Sequence, residues 1–211
     1  MPIEVFLVDD HAVMRDGLRL LIDAQPDLRV VGEAANGREA VRQASINCPD
    51  VLIMDIAMAD LNGIEATRQV RALCPDTQVV ILSMYSTDEH IARALQAGAI
   101  GYVSKETAGI DVVAAVRAAS IGRQYLSPKI ALALDDLRYL SVNPLDSLSE
   151  REREILQLTV EGHSSAQIAQ ILILSPKTVA TYRSRMMRKL GLHDLLSLVK
   201  FAIRHGMTSL D

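Results

Sequence analysis

The chain has 211 residues, enough for one large domain or two small ones, and its 49% hydrophobic and 23% charged residues exclude a disordered chain. Its net charge of −4 excludes a uniformly basic nucleic-acid coat. No apolar run is long enough to span a membrane, and the N-terminus does not look like a signal peptide. We therefore expect a cytoplasmic protein with no membrane partner.

The first half of the sequence alternates between short apolar runs and helical patterns. Strands are predicted at residues 3–8, 28–31, 51–54, 79–82 and 100–103, and helices at 12–24, 37–47, 63–73, 87–97 and 110–121. This alternation predicts an α/β domain with a doubly wound, five-stranded parallel sheet covered by helices on both faces. In such sheets, sites gather at the carboxyl ends of the strands.

Two cysteines, Cys48 and Cys74, lie in this half, and each is followed by Pro-Asp. Two are too few for a disulfide framework, and their spacing is not that of zinc ligands. We expect them to be small buried residues without a disulfide, as is usual in a reducing compartment.

Charge is distributed unevenly along the chain. Residues 1–125 carry 11 basic and 17 acidic residues, whereas residues 126–211 carry 11 and 9. This asymmetry, together with turn signals such as Ser127-Pro128 and Asn143-Pro144, predicts two domains. The predicted boundaries are a first domain at 1–122, a linker with a short amphipathic helix (129–140) at 123–146, and a second domain at 147–211.

Polar side chains follow four of the predicted strands. Asp9 and Asp10 follow the first strand, Asp55 the third and Ser83 the fourth, and Lys105 comes shortly after the fifth. A single Asp in this position is usually a helix cap. Asp9, Asp10 and Asp55 together at one sheet edge would crowd like charges, which is costly unless a cation neutralises them. A few hard oxygen ligands suit Mg2+.

This set resembles the receiver domain of two-component response regulators over residues 1–122. The resemblance rests on Val8 through His11, Asp55 through Gly63, Ser83, and Gly98 through Lys105. It implies that Asp55 accepts a phosphoryl group from a sensor histidine kinase. It further implies a Mg2+ site and a phosphoryl-binding switch: Asp9, Asp10, Asp55 and the Ala57 carbonyl hold the metal, and Ser83, Tyr102 and Lys105 form the switch.

The sequence departs from the receiver pattern at one position and leaves two alternative interpretations open. Ala59 stands where the family usually has proline, which is expected to loosen the loop after Asp55. Tyr102 is alternatively an ordinary half-buried strand aromatic. A haloacid-dehalogenase-type phosphatase also uses an Asp nucleophile with Mg2+, but it needs a second Asp where this chain has Ala57. We therefore expect no enzyme activity beyond the receiver's own phosphorylation and dephosphorylation.

The second half of the sequence contains three signals for the start of a helix. Capping boxes begin at Ser149 and Ser164, and Ser175-Pro176 supplies an N-cap followed by proline. They predict helices at about 149–161, 164–172 and 176–190, followed by a fourth at 195–203. A short helix, a tight turn and a longer basic helix are typical of a helix-turn-helix, whose second helix enters the major groove of DNA.

This segment resembles the LuxR-type helix-turn-helix domain, on Leu148 through Glu152, Thr178-Val179 and Arg188 through Gly191. The whole chain thus resembles a NarL/FixJ-type response regulator with an all-α, four-helix output domain. DNA contacts are expected on the third of these helices, from Lys177, Thr178, Ala180, Thr181, Arg183, Ser184, Arg185, Arg188 and Lys189. Ala180 stands where the family tends to have lysine.

The resemblance implies a phosphorylation-controlled transcription factor. Phosphorylation would release the output domain to form a homodimer on inverted-repeat, double-stranded promoter DNA, with RNA polymerase as a further candidate partner. The apolar face of the last helix (Leu195, Leu198, Val199 and Ala202) would pair between copies, pack on its own domain, or do both. The alternative is a regulator that acts by protein contact, or that binds DNA independently of phosphorylation.

Overall fold

The computed structural model describes residues 1–84, 87–128, 130, 144–205 and 207. The chain divides into two compact units, residues 1–139 and residues 140–211. The predicted linker helix at 129–140 lies outside the described residues, except for Ile130. Within the described residues, no helix combines the length and apolar composition that crossing a bilayer requires.

The first unit has the predicted α/β fold. Its strands are β1 (Ile3–Val8), β2 (Leu28–Ala34), β3 (Val51–Asp55), β4 (Gln78–Ser83), β5 (Gly101–Ser104) and β6 (Tyr125–Leu126). Its helices are α1 (Ala12–Asp23), α2 (Gly37–Asn47), α3 (Gly63–Leu73), α4 (Asp88–Gln96) and α5 (Ala108–Ser120), with a 3-10 turn at Lys105–Thr107. The strand order is β2-β1-β3-β4-β5-β6, and all neighbouring pairs are parallel.

The sheet has six strands rather than the predicted five. The sixth strand lies inside the segment that we predicted to be a linker, and its residues Tyr125 and Leu126 pair with Gly101 and Tyr102. Backbone hydrogen bonds continue the pairing at both ends, from Tyr125 to Ile100 and from Ser127 to Tyr102. Two residues are too few to show an alternating pattern, so this strand is set by its neighbour rather than by its own sequence.

Both faces of the sheet are buried because successive strand residues alternate between them. Phe6 and Val8 of β1 belong to the apolar layer shared with α2, α3 and α4, whereas Val5 and Leu7 belong to the layer shared with α1 and α5. Continuous apolar runs therefore become strands buried on both sides, as the sequence predicts.

Cys48 and Cys74 form a disulfide, contrary to the expectation that they are unpaired, and their Cα atoms are 5.5 Å apart. The two residues end α2 and α3, which lie side by side, and they precede the neighbouring strands β3 and β4. The expectation failed because it rested on the usual chemistry of the compartment, whereas the fold brings these helix ends together.

The second unit is helical. After a 3-10 turn at Pro144–Ser147 it contains α6 (Glu150–Val160), α7 (Ser165–Leu172), α8 (Pro176–Leu190) and α9 (Leu195–Arg204). Both predicted capping boxes are formed, at Ser149 and Ser164. Ser175 caps α8, and Gly191 ends it with φ of 66°, in the left-handed region that glycine favours.

The last helix packs on its own unit. Leu198 and Ala202 are buried in an apolar cluster with Leu156 and Met186. Leu195, by contrast, is 54% exposed. Within one copy of the chain, therefore, only part of the face that we considered for pairing is free.

Candidate functional site

The carboxylates of the predicted site meet at the carboxyl edge of the sheet. β1 and β3 are paired neighbours, so Asp9 and Asp10 emerge beside Asp55. Ligand atoms of these three residues and of His11 lie within 4.8 Å of one another. Asp9 and Asp55 are only 1% and 2% exposed, whereas the Asp10 side chain is 40% exposed and faces solvent.

Lys105 bridges the two buried carboxylates. Its Nζ atom lies 2.8 Å from Asp9 Oδ2 and 2.8 Å from Asp55 Oδ2, and its side chain is only 7% exposed. The turn after β5 delivers this ammonium group to the sheet edge that ends β1 and β3. One buried cation therefore partly compensates two buried anions.

Burial raises the pKa of Asp55 to about 6. The hydrogen bond and charge of Lys105 act in the opposite direction, the charge of Asp9 raises the pKa further, and the Ala57 N–H lowers it. Although burial opposes it, the contacts with Asp55 and Asp9 raise the pKa of Lys105. Near neutral pH, Asp55 is thus largely ionised and its ammonium partner stays charged.

The donor set fits a small hard cation. Asp9 Oδ2 is buried, and no described residue gives it a well-directed hydrogen bond, despite its proximity to Lys105. Three carboxylates together exceed the charge of one ammonium group, so the cluster keeps a negative excess. Carboxylate oxygens with partial access to water are the ligands that Mg2+ prefers.

Ser83 and Tyr102 are buried together near the carboxylates. Ser83 ends β4, beside β3, and is 1% exposed; Tyr102 lies on β5 and is 0% exposed. Their side chains hydrogen-bond each other, and burial raises the pKa of Tyr102. The ring is thus fully buried rather than half-buried.

Backbone contacts hold the loop that follows Asp55. The Ile56 carbonyl accepts hydrogen bonds from the N–H groups of Met58 and Gly63. The Asn62 side chain caps α3 by accepting from Ile64 N and Glu65 N. A Cβ atom on Gly63 would lie 1.8 Å from the Asp55 carbonyl oxygen, so only glycine permits this approach. The loop is closed in this way without the family's proline at position 59.

Sequence reasoning missed Arg15. Its guanidinium donates to the Asp9 carbonyl and lies 3.5 Å from Glu33, and so fixes the peptide between Asp9 and Asp10. The sequence does contain an indication of this contact. Arg15 lies near the N-terminus of a predicted helix, where the helix dipole disfavours a cation, so a partner outside the helix is expected.

The predicted DNA-contacting residues lie on α8, and most of them form one exposed stripe. Positions 177, 180, 181, 184, 185 and 188 follow a spacing of three and four residues, and all six are exposed. Val179 and Met186, on the opposite side, are buried in the core. No described residue holds Arg185 or Arg188 in a hydrogen bond or ion pair.

Three of the predicted residues lie away from this stripe. Lys189 is paired with Glu152 at 2.6 Å and donates to the Ser147 carbonyl at 3.0 Å. Arg183 donates to the Ser165 hydroxyl at 3.2 Å. Thr178 is half-buried, and its N–H bonds the Ser175 cap. These side chains support the helix packing and are less available to a partner than Arg185 and Arg188.

Comparison with known proteins agrees with this geometry. Residues 5–117 match the response regulator receiver domain family, and residues 146–202 match the luxR family of bacterial regulatory proteins. Response regulator UvrY of Escherichia coli K12 is 38% identical over 99% of this chain and 97% of its own length. Transcriptional regulatory protein LiaR of Bacillus subtilis is 37% identical over 98% of this chain and 100% of its own.

A solved structure supports the same assignment. The crystal structure of a LuxR-family two-component response regulator from Aurantimonas sp. SI85-9A1 superposes with a TM-score of 0.63 at 36% identity, covering 65% of this chain and 99% of that one. The predicted resemblance is thereby confirmed. The chain belongs to the NarL/FixJ family of two-component response regulators, with a receiver domain followed by a LuxR-type DNA-binding domain.

Proposed function

We propose that phosphorylation of Asp55 by a sensor histidine kinase, with Mg2+, switches this protein to a homodimer that binds inverted-repeat promoter DNA. The observation that carries the proposal is the Lys105 bridge between Asp9 and Asp55 at a buried sheet edge. A buried carboxylate beside a fixed ammonium group is suited to accept a phosphoryl group, because the transfer needs positioning and charge neutralisation above all.

The Asp55 carboxylate is the nucleophile. Its oxygen attacks phosphorus as the bond from phosphorus to the donor imidazole breaks, and the electron pair of that bond returns to the nitrogen. Lys105 neutralises part of the charge on the phosphoryl oxygens, and the Ser83 hydroxyl donates to one of them. Asp9, Asp10, Asp55 and the Ala57 carbonyl would hold Mg2+, which supplies further charge neutralisation when it is bound.

Ser83 and Tyr102 provide a route for the switch. A Ser83 hydroxyl that turns to a phosphoryl oxygen gives up its bond to Tyr102. Tyr102 pairs with Leu126 of β6, and its carbonyl accepts a hydrogen bond from the N–H of Ser127, where the chain leaves the sheet. A change at the phosphorylation site would thus reach β6, the last strand of the sheet in chain order, through Tyr102.

A groove beside the site suits a phosphodonor domain. It has a volume of about 540 Å3 and extends from Lys105 and His11 over apolar residues of α1 and α5, among them Met14, Leu21 and Ala108. A largely apolar groove with an ammonium group at one end fits the apolar face of a donor that carries its phosphoryl group beside that face.

The test of gating is selection from a random duplex library by the full-length protein, with Mg2+ alone and with Mg2+ plus beryllium fluoride as the phosphoryl mimic. We expect an inverted repeat to be enriched only with the mimic, and Asp55→Asn to abolish this enrichment. Equal enrichment in both conditions would favour DNA binding that ignores phosphorylation. No enrichment in either would favour a regulator that works by protein contact.

A second test addresses the α8 stripe. Arg185→Ala and Arg188→Ala should each weaken DNA binding and reduce the slope of log affinity against log salt by about 2, as expected when one phosphate contact is lost in each of the two copies of the dimer. Arg117→Ala, which removes the same charge from the first unit, is the matched control and should leave the slope unchanged. If all three variants bind alike, the stripe is not the DNA-contacting surface.

A further inference from the structure

The disulfide lies at the edge of the sheet opposite Asp55. Cys48 follows α2 and precedes β3, whereas Cys74 follows α3 and precedes β4. The covalent ring between the two cysteines therefore contains β3, Asp55, the loop after it and all of α3. Cys48 and Cys74 are the two cysteines of the sequence.

The two cysteines of the disulfide differ in their exposure to solvent. Cys48 is exposed, whereas Cys74 is 2% exposed and its Sγ lies 3.4 Å from the Ala44 carbonyl oxygen. In thiol–disulfide exchange a thiolate must reach one of the two sulfurs, and the sulfur that is attacked decides which mixed disulfide forms. Access to this disulfide is therefore one-sided.

We propose that the Cys48–Cys74 pair is a reversible thiol-modification site that takes a low-molecular-weight thiol on Cys48. The incoming thiolate forms a bond to Cys48 Sγ as the bond between the two cysteine sulfurs breaks, and Cys74 leaves as a thiolate that takes up a proton. A second thiolate then removes the bound thiol as a symmetrical disulfide and leaves Cys48 reduced. The balance is two thiols oxidised and one disulfide reduced.

The surroundings of Cys74 favour survival of the mixed disulfide. Cys74 leaves as a thiolate in the forward step and must attack as a thiolate to restore the internal disulfide. Burial in apolar surroundings disfavours that charged form and therefore slows both steps, so a mixed disulfide, once formed, is long-lived. The Ala44 carbonyl, 3.4 Å from the sulfur, offers the protonated thiol a hydrogen-bond acceptor. Cys48 consequently carries the modification, and Cys74 stays as a protected thiol.

Reduction opens the ring that holds the phosphorylation loop. α2 and α3 touch near their other ends as well, where a Cβ atom on Gly37 would lie 2.2 Å from the Leu61 carbonyl oxygen and 3.1 Å from Ala66 Cβ. With the disulfide intact, the pair of helices is fixed at both ends. Without it, the two helices keep only their noncovalent contacts, among them the apolar packing of Ala40 and Ala44 against Val70. The segment that contains the loop of Asp55 is then no longer closed into a covalent ring, so that loop should open more often.

The test uses the full-length protein, purified without reductant and treated with low concentrations of glutathione. Peptide mass spectrometry is expected to find glutathione on Cys48 alone, and hydrogen exchange of residues 56–62 is expected to rise several-fold. In the native protein, N-ethylmaleimide should label Cys48 of Cys74→Ser rapidly, and should label Cys74 of Cys48→Ser only after denaturant is added.

Three results would overturn the proposal. One is glutathione on Cys74, or on both cysteines equally. Another is equal labelling of the two single variants in the native state. The third is two free thiols in the wild-type protein that stay free when it is incubated with oxidised glutathione. None of these readouts depends on phosphorylation or DNA binding, so they are independent of the function proposed above.

Discussion

At the scale of single residues, the buried carboxylate of Asp55 lowers the stability of the fold when it is ionised. Its pKa in the folded protein is about 6, above its ordinary value of 3.8, because burial outweighs the attraction of Lys105. A carboxyl group whose pKa rises on folding stabilises the fold while it is protonated. This contribution is present below pH 3.8 and is lost as the pH rises through about 6.

Asp55→Asn should therefore be more stable than the wild type at neutral pH without metal. The upper limit of the gain is about 3 kcal/mol, and the difference should vanish toward low pH, where Asp55 is protonated. The difference in the free energy of unfolding is measured by urea unfolding of both proteins in a chelating buffer between pH 4 and 8. A difference that does not change with pH would show that ionised Asp55 is not the source of the cost.

Ile173 is a second residue that lowers the stability of the fold, in this case through its backbone conformation. It lies in the turn between α7 and α8 with φ of 56°, and it is 92% exposed. A β-branched side chain is disfavoured in this left-handed conformation, which asparagine tolerates. Ile173→Asn should stabilise the second unit by about 1 kcal/mol.

Denaturation followed by circular dichroism checks this prediction. Leu196→Asn is the matched control, because Leu196 is 63% exposed but lies in regular helix. We expect no gain in stability from the control, since asparagine is a poorer helix former than leucine. A similar gain in both variants would mean that removing exposed apolar surface, rather than relieving the backbone, accounts for the effect.

At the scale of elements, the start of α3 depends on a glycine. Gly63→Ala places a Cβ atom against the Asp55 carbonyl and should destabilise the receiver by about 3 kcal/mol, because backbone must move on both sides. Gly17→Ala in α1 is the control: no heavy atom lies within 4 Å of its Cβ position, so alanine should stabilise the helix by about 1 kcal/mol. Thermal unfolding of the two variants should shift in opposite directions.

At the scale of the whole molecule, the disulfide should add to the stability of the first unit. For a sequence separation of 26, restriction of the unfolded chain is worth about 3.5 kcal/mol. Urea unfolding of the wild type with and without reductant measures the difference, and the double variant Cys48→Ser, Cys74→Ser should not respond to reductant. If reductant does not lower the urea concentration at which the wild type unfolds, the disulfide does not have this stabilising role.

The sequence predicts the site better than it predicts the contacts around it. The prediction that Asp9, Asp55 and Lys105 lie at one edge of the sheet follows from the predicted strands, because the carboxyl ends of parallel strands share an edge. The disulfide and β6 depend on which distant segments become neighbours, which no local pattern encodes. The same holds for Lys189: its charge fits a DNA contact, yet its distance to Glu152 is set by how α6 and α8 pack.

The ring closed by Cys48 and Cys74 also changes what a protease can do to this protein. Ala57 and Ala59, in the loop after Asp55, are exposed, and a protease that enters the receiver at this loop would cut inside the ring. The disulfide would keep the two pieces joined. The cut chain would therefore run as a single band on a denaturing gel without reductant and as two bands after reductant is added. The segment that carries Asp55 can therefore be cut without being released from the rest of the receiver.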